Sequence, residues 1–430
     1  MKPPNPFELL AAGARVIVVG GGVLALSTAY ALFRSGLEPT VVTADTVAAG
    51  ATSSNGGLLV PADSLVWPGP ANARAVPSAL LRRSSANIGV RLSSPAVIGW
   101  GLKFLAHSTA SQHARLSTRA LELSRHSLDI LEQWTAQEHL SFDFQRNGMT
   151  FLFSGASPTE ERSGALAARS HLADAGMRYE VLDAVQLSAL APGCEGIDGR
   201  TVALFSPDAG HGDASAFTRA LAQVLQRRGV AIHEHSPVER LVVRDGRVRA
   251  VATRSDVLEA DAVVLAAGHH TRALARTAGL RVPILPVKGY AATVPIVEPS
   301  GVPDVGGVLE TRHVAFSRTA THLRLSTGAE VGASDAHVPD AVRNYLRAAG
   351  QALFPQAADW AAARYEAGHR PMTPHGLPFV GPTALPGLSL NSGHGSLGWT
   401  QAAGSADLLA HLLAGTEPPL RPLLTPPSRP

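Results

Sequence analysis

Cysteine is nearly missing from this 430-residue chain: Cys194 stands alone, so no intramolecular disulfide and no cysteine-based metal cluster can form. A reducing compartment suits such a sequence. No apolar run reaches the roughly 18 uninterrupted residues of a membrane-spanning helix, and the start MKPPNPFELL lacks the charged-then-apolar pattern of an export signal. The expectation is a cytoplasmic protein, soluble or at most peripheral on the inner membrane face. Charge of one sign is not gathered anywhere into a block; 37 Lys and Arg against 34 Asp and Glu leave a net charge of +3, which argues against a nucleic-acid partner. Internal repeats and low-complexity tracts are absent as well. What is present, 45% apolar and 17% charged residues, describes a chain able to bury a large core. Single cores stop growing at roughly 250 to 300 residues, so two domains are expected.

Arg15 to Gly36 runs as an apolar pentad of strand type, a glycine cluster, and then apolar residues at helical spacing closed by Gly36. A second strand at Thr40–Thr43 completes a βαβ opening. From Val60 to Gly101, Pro, Gly and Ser interrupt any periodicity and suggest an extended crossing between domains. A helix from about His113 to Trp134 follows, with Leu121, Leu128 and Leu131 on its inner face. Strands are expected at Met149–Phe153 and Val202–Phe205, and helices near Thr159–Ala175 and Ala214–Arg228. Val238–Val243 and Val248–Thr253 flank Asp245-Gly246, a hairpin signal. Ala262–Ala267 reads as a buried strand, Pro286–Gly332 as short strands and turns, and Ser396–Ala414 as a last helix.

The glycine cluster sits between the first strand and the first helix. Gly20 permits a tight turn, Gly22 lets backbone approach a pyrophosphate, Val23 opens the helix, and Ala25 is small enough for close helix packing. A helix N-terminus offers unpaired N–H groups and partial positive charge to phosphates. An acidic residue usually ends the second strand of such a unit to bind ribose; here Thr43 holds that place, with Asp45 two residues on. Thr52, Ser53, Asn55 and Gly57 form a polar loop suited to returning along a nucleotide. Ala266-Ala267-Gly268 ends a buried strand in small residues, which would let it pass close under a ligand or simply turn. His233-Glu234-His235 places two histidines two apart with no third ligand, and these read as exposed strand residues, not a metal site. Ser396 is no hydrolase nucleophile, because position 394 is His and the Gly-x-Ser-x-Gly elbow is missing.

Two carboxy-terminal runs carry more information: Gly368-His369-Arg370-Pro371-Met372-Thr373-Pro374-His375-Gly376-Leu377-Pro378, and Asn391-Ser392-Gly393-His394-Gly395-Ser396-Leu397-Gly398-Trp399-Thr400. With the glycine turn, Gly212-Asp213, Phe217-Thr218, Pro286-Val287-Lys288-Gly289-Tyr290 and Gly328-Ala329-Glu330, the chain resembles the FAD-dependent small subunit of D-amino acid dehydrogenase, within the wider D-amino acid oxidase and glycine oxidase group. The resemblance spans about Arg15 to Leu413. It implies an α/β protein: a Rossmann-like FAD-binding domain of the D-amino acid oxidase type, from residues 14–89, 206–282 and 366–430, and a mixed-sheet α+β substrate domain from 90–205 and 283–365.

By the same resemblance Arg370 grips the substrate carboxylate, a task suited to a guanidinium that is always charged and bonds carboxylates bidentately. Tyr290 borders the active cavity, and His394 contacts either the flavin or local backbone. Non-covalent FAD would be held by the glycine turn, by Thr43 or Asp45, by the Thr52–Gly57 loop, by Val238, Ala267 and Gly268, and by Gly393, Gly395, Ser396, Leu397, Gly398 and Thr400. Thr311-Arg312-His313 replaces a tyrosine of related enzymes. The implied reaction is oxidative deamination of a D-amino acid, or of a related amino or imino acid such as a proline derivative, with hydride transfer to flavin and electrons passed on to quinone or oxygen. Two alternatives stay open: an oxygen-using amine oxidase of glycine or sarcosine type, and a flavin-holding subunit that needs a partner chain.

Overall fold

The computed structural model describes residues 9–80, 88–91, 94–154, 157–192, 194 and 200–421. Residues 1–8, read above for an export signal, lie outside the described residues, as do 81–87 and 422–430 of the expected FAD-binding segments.

A six-stranded sheet forms around the first strand. Its order is Phe379–Pro382, Leu388–Ser392, Ala262–Leu265, Arg15–Val19, Glu38–Val42 and Ile232–His233. All neighbours run parallel except the edge strand Phe379–Pro382. Alternation along each strand sends side chains to opposite faces. Val16, Val18, Val41 and Val264 meet a layer of helices (Val23–Arg34, Ala110–Glu138, Ala214–Arg227 and Ala402–Ala414). Ile17, Val19, Val42, Val263 and Leu265 meet a small antiparallel sheet of Val238–Arg244, Arg247–Thr253 and Val257–Glu259. Both faces being covered explains why Val16–Val19 and Ala262–Leu265 read as unbroken apolar runs.

The second large sheet has nine strands and is mixed. From one edge it runs Arg364–Met372, Leu285–Pro295, His322–Val331, Val314–Arg318, Gly306–Leu309, Met149–Phe153, Val202–Ser206 and Glu180–Leu182, with Ile88–Val90 pairing beside His322–Val331. Helix Asp340–Leu353 packs Val342, Leu346, Ala349 and Leu353 into a core shared with Ala292, Val294, Leu323 and Leu325.

Several expectations need correction. Val60–Gly101 contains two helices, Pro70–Leu80 and Pro95–Ala106, among its described residues. Proline at the first helical position costs no hydrogen bond, so Pro70 and Pro95 start helices there instead of forbidding them. Pro286–Gly332 holds two long strands, Leu285–Pro295 and His322–Val331, beside its short ones. The helix expected at Thr159–Ala175 divides into Pro158–Ala168 and Ser170–Asp174, with Arg169 at the break. The last helix begins only at Ala402, after a 3-10 turn at Gly395–Leu397. Its carboxy end at Gly415 is as expected.

Candidate active site

One cavity of about 820 Å³ opens between the glycine turn, the small sheet and the floor of the nine-stranded sheet. That volume is of the size that accepts a large organic ligand.

The glycine turn forms its first wall. Gly20 holds φ near +135°, and a Cβ there would lie 2.5 Å from the Ala266 carbonyl oxygen and 3.2 Å from Ala25 Cβ. Gly22 precedes the helix Val23–Arg34, whose first turn carries no acidic residue. The Val23 N–H donates to Thr52 Oγ1 at 3.1 Å, which docks the polar loop on this helix end. An anion is favoured at such a terminus by the aligned peptide dipoles. Thr43 is buried against the turn, since a Cβ on Gly21 would come 2.3 Å from its Oγ1. Asp45 is exposed and lines the same end of the cavity.

The opposite wall is the strand Arg364–Met372. Its register with Leu285–Pro295 sets Arg370 opposite Val287 and Gly368 opposite Gly289. The Arg370 guanidinium lies across Gly289, where a Cβ would approach Cζ to 2.6 Å. Its Nη1 donates to the Gly328 carbonyl at 2.6 Å. No carboxylate pairs with it among the described residues, and burial alone pulls its pKa below the usual arginine range. A desolvated, uncompensated cation is costly unless a ligand supplies the counter-charge.

Tyr290 is 2% exposed and lines the cavity. Its hydroxyl donates to Glu330, which Arg91 also holds at 3.0 Å. Burial and the bond to Glu330 raise the phenol well above its ordinary pKa. The proton of Tyr290 is therefore engaged by Glu330 and not directed to the cavity.

His394 follows Gly393, which holds φ near +93°. It is 2% exposed, and neither ring nitrogen has a partner among the described residues. Local backbone thus does not satisfy it. Burial pushes its pKa down to about 3, so the ring is neutral at ordinary pH. Asn391 Oδ1 and Trp399 Nε1 are likewise buried without partners on this wall.

The cavity gathers most residues singled out from sequence: Gly20, Gly22, Val23, Thr43, Asp45, Thr52, Asn55, Val238, Ala267, Gly268, Gly393, Gly395, Ser396, Leu397 and Gly398, with Tyr290, Arg370 and His394. Four others lie off its wall. Ala25 is fully buried and packs against the Gly20 turn, so it shapes the cradle from behind. Ser53 turns its hydroxyl to the Gly50 carbonyl at 2.9 Å. Gly57 donates its N–H to Asn55 Oδ1 at 2.7 Å, closing the loop on itself. Thr400 Oγ1 accepts from the Val60 N–H at 3.1 Å. Gly393–Thr400 precedes the last helix, with a 3-10 turn at Gly395–Leu397.

Sequence reasoning missed Glu239, Ser326, His269, His369 and Asp63, which all line the cavity. Glu239, His269 and His369 adjoin residues that carried a signal, Val238, Gly268 and Arg370, and Ser326 lies two residues before Gly328; Asp63 had none. His233, Glu234 and His235 are exposed, and the strand ends at His233, so the two histidines do not share a strand face. Among the described residues no group of three metal-binding side chains occurs, and no helix is long and apolar enough to cross a membrane.

Residues 15–412 match the family model DAO, described as FAD dependent oxidoreductase. A D-amino acid dehydrogenase from Cereibacter sphaeroides is 37% identical over 407 residues, covering 94% of this chain and 92% of the relative. One from Methylobacterium nodulans is 36% identical over 408 residues, covering 94% and 96%. Among solved structures, glycine oxidase from Bacillus cereus superposes with a TM-score of 0.70 at 18% identity, covering 94% and 95%. L-proline dehydrogenase from P. horikoshii gives 0.71 at 17%, covering 95% and 96%. At such identities the structural likeness speaks for the fold.

Proposed function

From the premise that this chain belongs to the DAO family of FAD dependent oxidoreductases, we propose that it deaminates a D-amino acid oxidatively, with Arg370 holding the substrate carboxylate. FAD is the cofactor of the family, and the cavity fits it: an anion-seeking helix end, glycines whose Cβ atoms would fill the cradle, and buried polar atoms of His394, Asn391 and Trp399 left for a ligand to satisfy. Gly20, Gly22 and the Thr52 loop would hold the pyrophosphate, Asp45 or Glu239 the ribose, and the Gly393–Gly398 turn the ring. Cys194 is buried and lies off the cavity wall, which supports non-covalent attachment. The sheet memberships support a cofactor domain built on the six-stranded sheet and a substrate domain built on the nine-stranded one, close to the expected 14–89, 206–282 and 366–430 against 90–205 and 283–365, except that Ile88–Val90 and Arg364–Met372 pair within the nine-stranded sheet and so go with the substrate domain.

The reaction removes a hydride from Cα and a proton from the amine, giving an imino acid that water converts to a 2-oxo acid and ammonia. When bound, FAD supplies the two-electron acceptor for that hydride. The protein orients and neutralises: Arg370 fixes the carboxylate, Tyr290 lines the wall, and His394 stays uncharged.

One observation carries the reading, the half-buried guanidinium of Arg370 on the cavity wall, without an acidic partner among the described residues. Arg370→Ala should keep its flavin and raise KM for D-amino acids by about 100-fold or abolish turnover, the scale of losing a buried charge pair. Arg370→Lys should recover only part, since an ammonium lacks the planar fork. Anaerobic bleaching of bound flavin by D-amino acids measures both, and unchanged kinetics in Arg370→Ala would overturn the assignment.

A further inference from the structure

The acids on the cavity wall divide by place. Asp45 and Glu239 stand at the nucleotide end, beside Thr43 and Val238, whereas Asp63 belongs with Val60, Met149 and Val308 at the sheet end. Asp63 closes a 3-10 turn, Pro61–Asp63, on the loop that follows the glycine cradle. Its Oδ1 accepts from Arg169 Nη2 at 2.9 Å, and its Oδ2 has no hydrogen-bond partner among the described residues. The Asp63 side chain remains 40% exposed, that of Arg169 only 7%.

Arg169 cannot neutralise this corner. The same Nη2 lies 3.4 Å from Glu310 Oε1, so two carboxylates share one guanidinium. Its Nη1 donates to the Ala165 carbonyl at 3.2 Å, and its Cζ sits 4.2 Å from the centre of the Phe151 ring, which fixes it in place. Burial raises the Glu310 carboxyl to about 6, with Arg169 acting against the shift and the charge of Asp63 adding to it. Near pH 8 the trio therefore carries one surplus negative charge, and Asp63 presents it on a wall whose other members are apolar.

Resting on the D-amino acid reading above, we infer that Asp63, backed by Arg169 and Glu310, forms a side-chain subsite that selects amino acids bearing a cationic side chain. Arg370 takes the carboxylate at one part of the cavity and Asp63 takes an ammonium or guanidinium at another, so a substrate charged at both ends meets a complementary charge at each. A neutral side chain would displace water from Asp63 without compensating its charge, and an acidic one would be repelled.

Anaerobic flavin bleaching at pH 8 with D-arginine, D-lysine, D-norleucine and D-glutamate tests the assignment. The cationic substrates should exceed D-norleucine in kcat/KM by about tenfold or more, the scale of one compensated charge, with D-glutamate lowest. Asp63→Asn should bring the ratio of D-lysine to D-norleucine near unity. Glu310→Gln, which leaves Asp63 and its guanidinium in place, should lower the ratio by a smaller factor and serves if the first variant fails to fold. Equal rates for D-lysine and D-norleucine in the unaltered protein would overturn the subsite. So would a fall in rate equal for every substrate in Asp63→Asn, because Asp63 would then be holding the α-amino group. If neutral D-amino acids bleach the flavin and cationic ones do not, this inference alone fails; if no D-amino acid does, the parent reading falls with it.

Discussion

Gly289 is the residue on which the guanidinium wall depends. Arg370 lies where a Cβ on Gly289 would project, 2.6 Å from Cζ, and the guanidinium is the free end of a flexible side chain. Gly289→Ala should therefore fold normally while displacing Arg370. The expected result is a rise in KM for D-amino acids of about tenfold, roughly 1.4 kcal/mol of lost carboxylate binding, with flavin content and melting temperature nearly unchanged. A KM that does not move would show that the guanidinium finds an equivalent seat. At this scale the sequence was most legible where function was local. Gly20 and Gly22 announce themselves because a tight turn and a close approach leave only glycine, and Arg370 stands within a recognisable run. Asp63 and Glu239 carried no such mark: an acid on a loop or strand reads as solvated until distant segments enclose it.

Among the elements, those whose stability is mostly local were readable. The first strand and helix, the strand Met149–Phe153 and the hairpin at Asp245-Gly246 match the expected ranges to within a few residues. The long strands Leu285–Pro295 and His322–Val331 did not read as such, since Gly289 and Gly328 look like breaks and only the pairing across the sheet holds them extended. Helix Asp340–Leu353 had no counterpart among the expectations, although its apolar positions follow helical spacing. Gly350 inside it exists for packing, because a Cβ there would meet the Trp360 ring at 2.0 Å. The expected Thr159–Ala175 helix breaks at Arg169, the residue whose side chain reaches Asp63 and Glu310. Packing between elements yields a further prediction. Gly404 lies on the last helix where it crosses Ala110–Glu138, and a Cβ would sit 2.7 Å from the Ser127 Cα. Backbone cannot yield as a side-chain tip can, so Gly404→Ala should destabilise by about 1–3 kcal/mol. Denaturant unfolding of the variant, with a lowered midpoint and unchanged slope, checks this.

For the whole molecule, acid is the condition that exposes its buried charge balance. Burial depresses His211 to about 4 and His375 and His394 to about 3. In the unfolded chain each takes up a proton near pH 6.5, while the folded protein does not until far lower. Their contribution is complete above about pH 6.5 and is lost as pH falls, at about 1.4 kcal/mol per unit for each ring once the unfolded form is fully protonated. Glu310, raised to about 6, works the other way and gains stability as pH drops from about 6 toward its ordinary range. The net expectation is a melting temperature that declines steadily between pH 6.5 and 5. A flat profile across that interval would mean that these rings are protonated in the folded state.

The six-stranded sheet has one more consequence, for how the protein comes into being. Ala262–Leu265 is bordered on one side by Arg15–Val19 and on the other by Leu388–Ser392, so the centre of the sheet lacks a neighbour until a strand more than a hundred residues further along has been translated. The ribosome delivers the glycine turn long before Arg370 and His394. Nascent chains should then remain colourless and protease-sensitive until Leu388–Ser392 and the helix after it have emerged, and capture of the yellow prosthetic group should mark the closing of that sheet.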